Sequence, residues 1–145
     1  LYVKGAHYYT QTARVPFLLS APGRLPAGRR VSGLVEMVDL LPTLCDLCGL
    51  PTPETAVGRS LMPLIAGEAP GRSDVFAEQY RPDSPMHWQA VRTERHVYTR
   101  YPNTGEQTLF DLVEDPAEQH NAMLEDPPAE LVRDLNARID ARLAR

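Results

Sequence analysis

Four short runs of β-forming residues, separated by turn residues, constrain the fold of this chain more than any other feature. The runs are rich in Val, Tyr, Phe, Trp and Thr and cover residues 74–80, 87–93, 96–101 and 108–112. Pro-Asp-Ser-Pro, Glu-Arg and Asn-Thr-Gly segments lie between them, and such residues favour reversals of the chain. Because short connections join antiparallel neighbours, the spacing predicts a four-stranded antiparallel meander.

An amphipathic helix is predicted after the strands. Asp126-Pro127-Pro128 marks its start, since Pro is tolerated in the first turn of a helix. An apolar stripe at helical spacing then lies beside charged residues. The stripe consists of Leu131, Val132, Leu135, Ile139 and Leu143. We expect this helix to cover one face of the sheet.

The first half of the chain has a different character, with helices punctuated by Pro and Gly. Phe17–Ser20 is predicted to be a buried strand. Asp39 is a good N-cap for a helix that runs to Cys48, where Gly49 supplies the usual stop. A second short helix is predicted over residues 60–65.

The longer of these helices shows the spacing of one buried face, and the composition changes after the shorter one. The proposed buried positions are Leu41, Leu44, Cys45 and Cys48. A boundary is expected near residues 66–73, which divides the chain into residues 1–66 and residues 67–145. The fold class predicted from these patterns is α+β.

The charge balance argues against a polyanionic partner. The chain of 145 residues has 15 Lys plus Arg against 19 Asp plus Glu, a formal net charge of -4, and no basic stripe. We therefore expect no electrostatic binding to nucleic acid or to an anionic membrane. The longest apolar runs, such as Val15–Leu19, are far shorter than the roughly 20 residues of a membrane span. The first residues lack an initiator Met and a signal-peptide pattern, so we expect a chain entered partway through.

Cys45 and Cys48 have the spacing of a redox or zinc motif. A reactive thiol favours a helix N-terminus, whereas these two fall in the last turn of the predicted helix. A structural zinc site needs four ligands, and the sequence has no second close Cys or His pair. Two inert, buried thiols are the favoured interpretation, and a small thiol or metal module stays open as an alternative.

The other titratable residues show no pattern typical of a site. Four carboxylates follow the last predicted strand without the alternating ligands and Gly of a calcium loop: Asp111, Glu114, Asp115 and Glu118. Three histidines have no fixed spacing to one another or to a nucleophile: His87, His96 and His120. We interpret the carboxylates as a solvated turn and the histidines as surface or edge residues. No metal site is predicted in this chain.

Lys4 differs from the other basic residues because it is the only Lys of the chain, against 14 Arg. A compact ammonium can act as a point charge for an anionic group in a narrow pocket, which a guanidinium does less well. His7, Tyr8 and Tyr9 follow closely. From the residues alone, an exposed Lys and an anion contact are both open.

Several short motifs follow one another in an order that resembles the C-terminal portion of sulfatases, within the alkaline phosphatase superfamily. They are Lys4-Gly5 with Tyr9, Arg14-Val15-Pro16 with Pro22-Gly23, Val38-Asp39-Leu40-Leu41-Pro42-Thr43-Leu44, Gly58-Arg59-Ser60-Leu61 with Pro63-Leu64, Ala90-Val91-Arg92-Thr93, and Leu109-Phe110-Asp111-Leu112 with Asp115-Pro116, Glu118 and Asn121. The resemblance implies the last strand and helices of an α/β sulfatase domain, followed by a small four-stranded sheet packed on a C-terminal helix.

The resemblance also implies a chemistry and assigns part of it to this chain. The family's lysine that contacts the sulfate ester corresponds to Lys4, which is expected to stabilise charge on the sulfuryl oxygens. His7 is a second candidate substrate contact. The formylglycine nucleophile and the ligands of a divalent cation, usually calcium, are expected upstream of Leu1. Thr10 departs from the family, which often has Glu at that position.

The expected function is therefore that of the C-terminal segment of a sulfuric ester hydrolase, inactive alone. Its expected partners are a missing N-terminal sulfatase domain and, in the full-length protein, a sulfate ester. An exposed sheet edge and apolar face are expected to make the isolated chain dimerise or aggregate. A phosphonate or phosphate ester hydrolase of the same superfamily and a non-catalytic interaction module are the alternatives.

Overall fold

The structure is a computed structural model that describes residues 7–144. Within this range lie four α-helices, Thr10–Ala13 (α1), Leu40–Cys48 (α2), Met62–Ala66 (α3) and Ala129–Leu143 (α4). The strands are Asp74–Gln79 (β1), Trp88–Thr93 (β2), His96–Arg100 (β3) and Gln107–Asp111 (β4). Two short 3-10 helices cover Met37–Asp39 and Ala122–Glu125.

The described residues divide into two compact units. One unit combines residues 7–15 with residues 74–144, and the other consists of residues 16–73. The segment before residue 16 thus belongs to the same unit as the sheet, although it lies far from the strands in sequence. The assignment of residues 1–66 and 67–145 to two domains of a larger enzyme stays a prediction.

The sheet is the predicted antiparallel meander, with strand order β1-β2-β3-β4. Its register aligns one apolar row across three strands, because Val91 pairs with Tyr98 and Tyr98 pairs with Leu109. Helix α4 covers this row, and Leu135 and Ile139 are buried against it. The prediction that the last helix covers one face of the sheet is confirmed.

The opposite face of the sheet is covered by the segment that precedes α1. Side chains alternate between the two faces of a strand, so the neighbours of the first row point the other way. Ala90, Val97 and Phe110 form a second core there, with Trp88 and Tyr101 at one end. Tyr8 is buried in this core, and Tyr9 packs against it. The residues that follow the Lys4 motif are therefore held on a sheet face.

The second unit is organised around Asp39, whose side chain is fully buried. Its carboxylate accepts hydrogen bonds from the backbone N–H groups of Glu36 and Arg59 and from the Arg72 guanidinium. Burial alone would raise the pKa of Asp39, but these donors outweigh it and hold the pKa below the ordinary 3.8. Gly58 is required beside this site because a Cβ atom there would overlap the carbonyl of Val38.

Three expectations for the second unit are wrong. Phe17–Ser20 forms no strand, and Leu18 is 87% exposed, because no neighbouring strand of residues 7–144 pairs with this segment. The buried side of α2 carries Pro42, Thr43 and Cys45, whereas Leu41 and Leu44 are exposed. Asp39 does not cap α2 with its side chain, since its oxygens bind the donors described above.

Hydrogen bonds of Thr43 explain which side of α2 is buried. Its hydroxyl donates to the carbonyl of Asp39 at 2.6 Å and accepts the N–H of Leu61 at 2.9 Å. This pair of bonds ties the Thr43 side of the helix to the chain segment before α3.

Among the helices of residues 7–144, none combines the length and the apolar character that a membrane span requires.

Candidate functional site

Of the two predicted site residues, the structure describes one. Lys4 lies outside the described residues, and its role stays a prediction. His7 is exposed, and its Nδ1 lies 2.9 Å from the hydroxyl oxygen of Tyr101. The His7 ring also packs edge-on against Tyr9, with 6.4 Å between the ring centroids.

Tyr101 comes from the loop that follows β3 and is almost completely buried, with 5% of its surface exposed. Its backbone is fixed, because its N–H donates to Glu106 and its carbonyl accepts from Thr104 and Gly105. Burial, with smaller contributions from Tyr9 and Glu106, raises the pKa of Tyr101 to about 12. The phenol therefore keeps its proton at neutral pH and has a hydrogen to donate.

A buried carboxylate holds the segment just after His7. Glu118 accepts the backbone N–H of Thr10 and also the Thr10 hydroxyl hydrogen. Arg92, on β2, donates to the same hydroxyl and lies 3.9 Å from Glu118. Thr10 thus lies between the Arg92 guanidinium and the Glu118 carboxylate and forms hydrogen bonds with both. These bonds satisfy the polar groups at the position where the family often has Glu.

The backbone conformation of Glu118 also indicates that this residue is held in place by its surroundings. Glu118 is 5% exposed and has a φ of 55°, a left-handed conformation that is uncommon outside Gly, Asn and Asp. A buried carboxylate with a strained backbone persists only when its surroundings hold it in place. The interpretation of Glu118 as part of a solvated turn is wrong, because sequence spacing gave no sign of its contact with Thr10, 108 residues away.

The remaining carboxylates of that group pair with neighbours. Asp111 accepts two hydrogen bonds from Arg95, and Asp115 accepts the backbone N–H of His120. No group of three or more His, Cys, Asp or Glu side chains within residues 7–144 is arranged to hold a metal ion. The family resemblance places the ligands of the divalent cation upstream of Leu1, and the described residues do not themselves form a site that fits calcium.

The other candidate histidines lie apart from His7 in their own surroundings. His96 lies beside Asp111 at 3.8 Å, and its pKa is lowered because burial outweighs that carboxylate. His120 is exposed and pairs with Glu125 at 3.0 Å, which raises its pKa. His87 is a buried residue packed edge-on against Tyr80, so its interpretation as a surface or edge residue is wrong.

The two thiols differ in exposure. Cys45 is buried and Cys48 is exposed, so the prediction of two buried thiols is wrong for Cys48. Both lie in α2, in the unit formed by residues 16–73. Neither belongs to a group of three or more potential metal ligands among the described residues.

Comparison with known families identifies the chain. The family model described as "N-sulphoglucosamine sulphohydrolase, C-terminal" matches residues 2–144. The chain belongs to this family. It is thus a C-terminal sulfatase segment, as the order of its motifs predicted.

Relatives and solved structures agree with this assignment. The chain is 29% identical over 150 residues to a Delta 4,5-hexuronate-2-O-sulfatase of Bacteroides thetaiotaomicron, covering 98% of the chain and 31% of that protein. A structure solved with its substrate D-glucosamine-2-N,6-O-disulfate matches with a TM-score of 0.71, at 22% identity, over 83% of the chain and 26% of the other. That match supports the α+β fold.

A third comparison is with a phosphonate hydrolase. The structure of a phosphonate monoester hydrolase from Silicibacter pomeroyi matches with a TM-score of 0.64 at 26% identity, over 87% of the chain and 27% of that protein. In all three comparisons the chain spans about a quarter to a third of the other protein. The activity of the whole protein is therefore a matter for proposal.

Sequence reasoning missed Tyr101 and Arg92 as neighbours of the candidate site. The sequence predicts Tyr101 only as the end of a strand and contains Arg92 only as part of a family motif. The available signal was the alternation of side chains along β2 and β3, which places Arg92 and Val97 opposite each other on the face that Tyr8 covers. The alternation shows which face of the sheet a residue lies on. It does not show that the segment around Tyr8 covers that face, so the contacts with His7 and Thr10 could not be predicted from it.

Proposed function

We propose that the protein to which this chain belongs hydrolyses sulfate esters and that this chain contributes Lys4 and His7 to substrate binding. The observation that carries the proposal is the family match over residues 2–144, because it includes the Lys-Gly motif at the start of the chain. The hydrogen bond between Thr10 and Glu118 supports the proposal, because it holds in place the segment that follows the Lys-Gly motif.

In this proposal Lys4 acts electrostatically. Negative charge grows on the leaving oxygen as the ester bond breaks, and the sulfuryl oxygens stay anionic throughout. A positioned ammonium stabilises such charge, and removal of one such group commonly costs about 100-fold or more in rate. His7 adds a hydrogen-bond donor three residues further along the chain.

The nucleophile and the metal are assigned to the rest of the protein. The family relation implies a divalent metal for the whole enzyme, and the described residues do not fit one. Cys45 and Cys48 lack the Cys-x-Pro-x-Arg context that formylglycine formation needs in this family. We therefore propose that the 145-residue chain has no hydrolase activity alone.

The alternative proposal is a phosphonate or phosphate ester hydrolase. It is favoured by the match to the phosphonate monoester hydrolase, at 26% identity and a TM-score of 0.64. Phosphoryl and sulfuryl groups both present anionic oxygens, so the same lysine would serve either substrate. Discrimination would then depend on residues outside this chain.

The test uses the full-length protein and a substrate panel. We expect turnover of a sulfated uronic acid or glucosamine, or of an aryl sulfate, in preference to an aryl phosphate monoester and an aryl phosphonate. Lys4→Ala should lower kcat/KM about 100-fold, and Arg30→Ala, at an exposed cation, should not. Preference for the phosphonate would establish the alternative, and an unchanged rate in Lys4→Ala would exclude the role of Lys4.

A further inference from the structure

We infer that Tyr101 is a positioning residue that fixes the tautomer of His7, so that His7 presents an Nε2–H donor to an oxygen of the bound ester. The inference rests on the proposed function, because it specifies how this chain recognises the substrate. It assigns a role to a residue of the loop after β3, which the sequence motifs do not include.

The geometry couples the two side chains closely. The His7 Nδ1 and Tyr101 hydroxyl oxygen are 2.9 Å apart, and the rings meet edge to face with centroids 5.8 Å apart. The Tyr9 ring also packs edge-on against the His7 imidazole. Tyr101 is buried while His7 is exposed, so the pair connects a rigid core residue to a surface residue.

The burial of Tyr101 decides the direction of the hydrogen bond. Within residues 7–144, the Tyr101 hydroxyl has His7 as its only hydrogen-bond partner. A buried O–H without an acceptor is costly, so the phenol donates and Nδ1 accepts. A neutral imidazole whose Nδ1 accepts carries its proton on Nε2. No side chain of the described residues accepts a hydrogen bond from this Nε2–H.

This arrangement gives the proposed site a hydrogen-bond donor of fixed direction. A lysine ammonium rotates freely on a flexible stem, whereas an imidazole held between Tyr101 and Tyr9 keeps one orientation. Sulfate ester oxygens accept hydrogen bonds in both the ground state and the transition state. The contact should therefore act mainly on KM, with kcat changed little.

The first test needs no variant. In full-length protein labelled with ¹⁵N-histidine, the ring shifts of neutral His7 should report a proton on Nε2. A His7→Gln variant identifies the signal, because only that resonance disappears. A neutral His7 ring that carries its proton on Nδ1 in the wild-type protein would overturn the inference, whether or not the protein turns over any ester.

The second test uses kinetics with a matched control. Tyr101→Phe should raise KM about tenfold, the effect of one hydrogen bond, with kcat within about twofold. Tyr98→Phe is the control, because that buried tyrosine also loses hydrogen bonds, to Gln107 and Asn136, but on the face covered by α4. It should lower the melting temperature similarly and leave KM unchanged.

A double variant separates positioning from general structure. In a His7→Ala background, Tyr101→Phe should change KM less than about twofold, because its effect passes through His7. His7→Gln, which keeps an acceptor and a donor, should retain more activity than His7→Ala. An equal effect of Tyr101→Phe in both backgrounds would overturn the inference. Absence of turnover in the wild-type protein would instead count against the proposed function.

Discussion

Glu118 accepts the backbone N–H of Thr10 at 3.0 Å, although the two residues lie 108 positions apart. This contact joins the last loop of the sheet to the first turn of α1. Since His7 precedes Thr10 by only three residues, the contact also restricts the position of His7, the candidate substrate-binding residue, relative to Tyr101.

The Glu118 contact predicts a specific loss of stability. Glu118→Gln replaces one carboxylate oxygen with an amide nitrogen, which cannot accept from Thr10. We expect a loss of about 1–3 kcal/mol in the free energy of unfolding. Urea denaturation followed by Trp88 fluorescence measures it, and Glu114→Gln, at an exposed carboxylate in the same loop, is the control. Equal stability of the two variants would show that Glu118 does not anchor the segment.

Local patterns predicted the sheet and α4 because each strand carries its own β-forming residues and each turn its own turn residues. Glu118 and Tyr101 could not be predicted in this way, since their partners lie 108 and 94 positions away in sequence. Phe17–Ser20 shows the opposite error. An apolar run predicts a strand only if a neighbouring strand is available to pair with it.

Asp39 predicts acid sensitivity of the second unit. The pKa of Asp39 is below its ordinary value of 3.8, so its contribution to stability is present above about pH 4 and is lost as the pH falls through the folded-state pKa. Asp39→Asn should cost about 3 kcal/mol at pH 7, since Arg72 is left with a weakened partner. Unfolding measured between pH 3 and 7 should show a shallower pH dependence in this variant. The exposed Asp46→Asn should keep the wild-type profile.

Tyr101 predicts a late step in an alkaline titration. Its pKa of about 12 lies above the ordinary 10.0, so the unfolded chain ionises first and folding stability falls as the pH rises between those values. Absorbance at the phenolate band should show a component near pH 12 that Tyr101→Phe removes. A titration of the folded protein without any late component in that range would contradict the burial of this phenol.

The two thiols predict a biphasic reaction with a disulfide reagent. Cys48 is exposed and Cys45 is buried, so one equivalent should react rapidly and the second only as the unit unfolds. Cys48→Ser should abolish the rapid phase and leave the slow one. Two rapid equivalents, or bound zinc in the purified protein, would support the thiol or metal module that the sequence left open.

Apolar side chains of the second unit predict self-association of the isolated chain. Leu18, Met37 and Val57 are each more than half exposed, and Leu41 and Leu44 add to the apolar surface of α2. Association removes exposed apolar side chains such as these from water, which is favourable. Sedimentation of the 145-residue chain should show dimers or larger species at micromolar concentration. Leu18→Ser combined with Leu41→Ser should shift the distribution toward monomer, and Leu124→Ser, at an exposed leucine of the other unit, should not. A wild-type chain that stays monomeric up to about 100 μM, which corresponds to an association free energy weaker than about −5.5 kcal/mol, would exclude association through these residues.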